Sequence, residues 1–168
     1  MKIITLKRKV GCHMPIYVYD LQYDYEGMCC LVKQRGTGYA GDFTVKDTKA
    51  TVNMICNTFC PTIKAEQYYY MIACDREKKI IGLFVLASGD ADTTKYSIKS
   101  VLIRAMICHA AYVIIARNTP EDDCIVDMDE LNYFRKLKEN ANDVGVTVLD
   151  NIILSDGKYL SYAEQGIQ

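Results

Sequence analysis

AAYVIIARNTPEDDCIVDMDELNYFRKLKENANDVGVTVLDNIIL, residues Ala110 to Leu154, is the stretch whose reading decides the fold. AYVIIA is a short apolar run rich in β-branched and aromatic residues, as expected of a strand buried on both faces. Arg117 to Val126 reads as a mostly polar break. Asp127 followed by Glu130 fits a capping box with Asp as the cap, and Leu131, Phe134, Leu137 and Ala141 then recur at helical spacing. Gly145 stands where that helix should stop, and VTVLDNIIL returns as a second apolar strand.

Upstream, Thr44 to Cys60 places Val52, Ile55, Cys56 and Phe59 on one helical stripe, with Thr44 or Asp47 as candidate caps and Pro61 beyond the end. Gln67 to Cys74 and Ile80 to Ala87 read as an antiparallel hairpin joined by Asp75-Arg76-Glu77-Lys78-Lys79. Ser97 to His109 carries Ile98, Val101, Leu102, Ala105 and Met106 on one helical face, with Ser97 as a candidate cap. Before all of these, Ile3 to Leu6, Pro15 to Tyr23 and Cys29 to Lys33 read as short strands, the last two paired through Glu26-Gly27, with Gly36, Gly38 and Gly41 as breaks. The sum is a mixed sheet with helices packed against it.

The frame resembles the RadC-like branch of the JAB/MPN family. There a strand is followed by His-x-His-Pro-Ser-Gly, then Ser-x-x-Asp opening a helix, then Gly-Ile/Val-x-Val-Leu-Asp-His-Ile-Ile and a final Tyr-x-Ser. This chain reads Arg117-Asn118-Thr119-Pro120-Glu121-Asp122, Asp127-Met128-Asp129-Glu130, Gly145-Val146-Thr147-Val148-Leu149-Asp150-Asn151-Ile152-Ile153 and Tyr159-Leu160-Ser161 in the same register, without a gap. The resemblance implies an α/β (α+β) fold: a three-layer, cytidine-deaminase-like mixed sheet flanked by helices. It also implies one domain over residues 1–168, with 44–168 as the family core and 1–43 as a divergent, β-rich amino-terminal extension.

Active members of that family hold zinc with two histidines and an aspartate, and a glutamate activates the bound water for hydrolysis of an amide or isopeptide bond. Position by position, the glutamate corresponds to Glu66, the histidines to Arg117 and Thr119, the helix-initial serine to Asp127 and the aspartate to Glu130. Arginine offers donors only, and threonine is a weak neutral oxygen, so no metal cofactor is expected. Arg117 then has two alternatives. It replaces the missing cation by pairing with Glu66, Asp127 or Glu130, or it points to solvent while Glu130 caps its own helix.

Length and composition bound the rest. A chain of 168 residues, half of them hydrophobic, has enough material for one well-buried core. A net charge of −1 and a pI near 6.1 do not indicate nucleic acid. The charged start, MKIITLKRKVG, reads neither as a signal peptide nor as a membrane span, which points to a cytoplasmic protein. Larger RadC-like proteins carry a helix-hairpin-helix segment before the JAB domain, and none is expected here. Eight cysteines read as small, reduced core residues, and Cys56, Cys60, His13 and His109 make a poor zinc set.

The function these features point to is a catalytically inactive JAB/MPN protein that binds another protein. The family's gene company on phages and mobile elements adds the narrower expectation of an inhibitor of a host defence system. The alternatives are a hydrolase with a relocated metal site or metal-independent chemistry, and a nucleic-acid-associated RadC-like protein. A homo-oligomer is also compatible with these features. Tyr17, Tyr19, Tyr23 and Tyr25 share one parity, which makes them either one amphipathic strand face or a recognition surface.

Overall fold

The computed structural model describes residues 15–40, 43–91, 93–120 and 124–167. Within them the chain runs β1 (Pro15–Tyr23), β2 (Cys29–Ala40), α1 (Thr48–Phe59), a 3-10 turn (Pro61–Ile63), β3 (Gln67–Cys74), β4 (Ile80–Gly89), α2 (Ile98–Ile107), β5 (Tyr112–Asn118), α3 (Met128–Asp143), β6 (Thr147–Ser155) and β7 (Lys158–Ser161). The seven strands form one mixed sheet in the order β2-β1-β4-β3-β5-β6-β7. β1 lies parallel to β4 and β5 parallel to β6; the other neighbours are antiparallel. The expected strand Ile3 to Leu6, and His13, lie outside the described residues.

Alternation along the strands produces two cores. Tyr69, Met71, Val113 and Ile115 face Val101 and Ala105 of α2 and Phe134 and Leu137 of α3. Tyr70, Ile72, Ile114 and Ile152 face Met54, Ile55 and Phe59 of α1 on the other side. Each residue of the central strands therefore meets a helix on one face or the other, and those strands must be apolar throughout. β3 and β5 are buried along nearly their whole lengths. This is the mixed, three-layer α/β architecture that the sequence frame implied.

The local signals behave as their chemistry requires, with instructive exceptions. Asp47, not Thr44, caps α1 by accepting from Ala50 N at 2.7 Å, while Thr44 bridges to Lys79. Gly145, at φ +74, reverses the chain after α3, a conformation that costs a side-chain-bearing residue. Ser97 stands at the α2 cap position without a side-chain bond. On α2 the expected apolar stripe is broken, because Met106 is half exposed and Arg104 is buried instead. Gly36 and Gly38 do not end the second strand, which continues to Ala40.

The amino-terminal hairpin belongs to the same sheet. β1 and β2 pair through a turn in which Asp24 Oδ1 accepts from Glu26 N at 3.0 Å and from Met28 N at 2.8 Å. Tyr19 packs on Phe84, with ring centroids 6.0 Å apart, and lies over Gly82, where an added Cβ would come within 2.8 Å of its ring. That close approach explains a glycine inside an otherwise bulky strand.

Candidate functional site

β5 does not stop where polarity begins. Arg117 and Asn118 are its last two residues, and both are buried, so the expected break starts only after them. Arg117 continues the row of Val113 and Ile115 toward α3. Its Nε donates to Glu130 Oε1 at 2.8 Å, and its Nη2 donates to Glu130 Oε2 at 2.9 Å and to Ile125 O at 3.0 Å. Of the two alternatives for Arg117, the structure takes the pair, and its carboxylate is that of Glu130.

The capping box is therefore only half formed. Asp127 Oδ1 accepts from Glu130 N at 2.6 Å, which caps α3, but the Glu130 side chain turns to Arg117 rather than back along its own helix. A buried guanidinium offers more than a backbone N–H would, because two parallel charge-assisted bonds fit a carboxylate fork. Burial alone would push the Arg117 pKa down, but the bond and charge of Glu130 outweigh it and raise the value. Tyr69, close by, has its phenol pushed up to about 12 by burial and by the Glu130 charge.

Asn118 faces the opposite way and was not among the expected site residues. Its Oδ1 accepts from Tyr68 N at 2.7 Å and its Nδ2 donates to Glu66 O at 2.9 Å, so it clips the end of β5 to the start of β3. Glu66 is thus held by its backbone, and its side chain is exposed. Thr119 follows, its N donating to Leu154 O at 2.8 Å.

A cleft of about 390 Å³ opens over the Arg117–Glu130 pair, at the carboxyl end of β5. Tyr69, Tyr96 and Tyr133 form one wall as a chain of edge-to-face contacts, with centroids 5.1 and 5.3 Å apart. The Tyr133 hydroxyl donates to Tyr96 O at 2.6 Å, and Gln67 Nε2 donates to the Tyr69 hydroxyl at 3.0 Å. Thr119, Asp127 and Glu130 also line the cleft, whereas Glu66 does not. No sequence signal marked the tyrosine wall, because its members come from β3, the segment before α2, and α3.

Chemically, Arg117 and Glu130 are already engaged with each other. Arg117 is a donor-only group, both Glu130 oxygens face it, and Asp127 is committed to its own helix. Among the described residues no three His, Cys, Asp or Glu side chains converge as a metal set would. Of the four tyrosines singled out at the amino terminus, Tyr17 and Tyr19 pack together at 6.3 Å on the sheet and Lys33 covers the Tyr17 ring. Tyr23 ends β1, and Tyr25 lies past it in the turn, so the four do not form one strand face.

Comparison with known proteins gives the same frame. The profile of the family described as "RadC-like JAB domain" matches residues 45–167. A UPF0758 protein of Pelobacter propionicus is 31% identical over 101 residues, covering 60% of this chain and 44% of that protein. A UPF0758 protein of Azotobacter vinelandii is 35% identical over 92 residues, covering 55% and 41%. One from Aquifex aeolicus is 31% identical over 93 residues, covering 55% and 40%. The chain spans less than half the length of these relatives. The profile match takes in most of the chain, including both strands and the helix around the cleft, and the chain accordingly belongs to the RadC-like JAB domain family.

Proposed function

We propose that this chain is a catalytically inactive RadC-like JAB protein that works by binding another protein. The observation that carries the reading is the Arg117–Glu130 pair. A catalytic zinc needs three lone-pair donors, an open position and a nearby carboxylate to take a proton from water. Here the first ligand position holds a cation, the second a threonine, and the third a carboxylate whose two oxygens are spent on that cation. Glu66, the position of the general base, presents its side chain to solvent. These residues do not fit the metal.

What remains useful is the scaffold: a seven-stranded sheet, helices on both of its faces and a hairpin with an exposed tip. We extend the reading to a partner drawn from a host defence system, because RadC-like genes keep that company on mobile elements.

The test is elemental analysis of the chain purified without chelators, together with assays on peptide and isopeptide substrates. The expected result is zinc far below one per chain and no turnover. About one zinc per chain, or turnover that chelator abolishes, would overturn the reading.

A further inference from the structure

The β1–β2 hairpin ends in a group of exposed large apolar residues. Tyr25 is fully exposed, Tyr23 is 77% exposed and Met28 is 64% exposed, all within six residues. Scattered exposed apolar residues are ordinary, but three large ones on a single tip are not. The tip is also preorganised. Besides the two bonds to Asp24 Oδ1, Asp24 N donates to Met28 O at 2.9 Å and Gly27 N to Asp24 O at 3.1 Å, with Gly27 at φ +78. A tip held this way loses little conformational entropy on docking.

Its charge is one-sided. From Pro15 to Val32 the chain has Asp20, Asp24 and Glu26 and no lysine, arginine or histidine, whereas the rest has 20 basic residues against 18 acidic ones. The neighbouring tyrosines are not part of this surface: the Tyr17 ring lies under Lys33, and Tyr19 is packed on Phe84.

We propose that the hairpin tip is a docking finger, with Tyr25 and Met28 as anchors, for a partner protein whose surface offers an apolar socket rimmed by lysine and arginine. This rests on the protein-binding reading above and names the surface that performs it. Exposed tyrosine and methionine supply the contact area typical of interface anchors, and Glu26 supplies the charge that selects a basic rim. The cleft over Arg117 has no part in it.

The test replaces Tyr25, Tyr133 of the cleft wall and Tyr159 of β7, one at a time, with p-benzoylphenylalanine in the full chain expressed in its native host, followed by irradiation. The proposal expects a discrete adduct to one other protein from position 25 only. With that protein purified, Tyr25→Ser combined with Met28→Ser should weaken binding at least about tenfold. Glu26→Lys should weaken it and flatten its salt dependence, while Asp129→Asn in the cleft should leave it unchanged.

An adduct from position 133 or 159 but not 25 overturns the finger and leaves the protein-binding reading standing. An adduct to a second copy of this chain, or a captured partner whose affinity ignores salt and both variants, also overturns the finger. No adduct from any position overturns both readings.

Discussion

Arg117 and Glu130 join the end of β5 to the first turn of α3 by two parallel bonds of 2.8 and 2.9 Å. The residues are 13 apart in sequence, and each is largely buried, with side-chain exposures of 10% and 15%. Deleting one partner strands the other charge in a poorly solvated place. Arg117→Ala should therefore destabilise the chain by about 3–5 kcal/mol. Arg117→Met with Glu130→Leu should recover most of that loss, since neither charge is then left alone. Urea unfolding of the single and double variants checks both, and a loss under about 0.5 kcal/mol for Arg117→Ala would mean the pair contributes only what a surface contact does.

Asn118 predicts a second, independent cost. Its side chain satisfies Tyr68 N and Glu66 O at once, so Asn118→Ala orphans a donor and an acceptor at the joint between β3 and β5. A loss of about 2–3 kcal/mol is expected, given the usual penalty for unpaired buried polar groups. Hydrogen exchange should show Tyr68 N among the amides most deprotected. An unchanged rate there would mean that water replaces the clip.

Asp150 sets a pH dependence. Burial pushes its carboxyl above the ordinary value, against the Ser161 hydroxyl at 2.5 Å and Ala163 N at 3.0 Å, which both favour the charged form. A carboxyl raised in the folded state contributes most below its unfolded value of about 3.9, and that contribution is lost as pH rises through the raised folded value. The stability of the native chain minus that of Asp150→Asn should therefore fall as pH rises through the carboxylate range. Urea midpoints of the two proteins, compared over pH values where both fold, measure it, and a difference that rises with pH would reverse the sign assigned to burial.

The triple replacement Arg117→His, Thr119→His, Glu130→Asp puts the family's ligand types back at unchanged spacing. It should acquire zinc affinity detectable by competition with a chromogenic chelator, while the native chain competes for none. A folded triple variant that takes no zinc would show that the path from Thr119 to Asp127 has departed from the family's, beyond the change of ligands.

The sequence by itself carried the architecture, because the signals for strands and helices are local. Apolar runs at Gln67, Ile80, Tyr112 and Thr147 must be buried somewhere, Asp47 and Asp127 can satisfy orphan N–H groups wherever the helix goes, and Gly145 and Gly27 take backbone conformations that other residues resist. It also narrowed Arg117 to two placements, because a donor-only group among carboxylates has few others.

What it did not decide needed distances between segments far apart in the chain. Arg117 and Asn118 look like the start of a loop, and it is pairing with Ile153 and Leu154 of β6, and of Arg117 with Tyr69 of β3, that keeps them in the strand. The choice of Glu130 over Glu66 came from the crossover that returns α3 over β5, while Glu66 sits on the far side of the Asn118 clip. Tyr25 shares parity with Tyr17 and Tyr19, yet the Asp24 turn lifts it out of their strand, and parity has no meaning beyond the last paired residue.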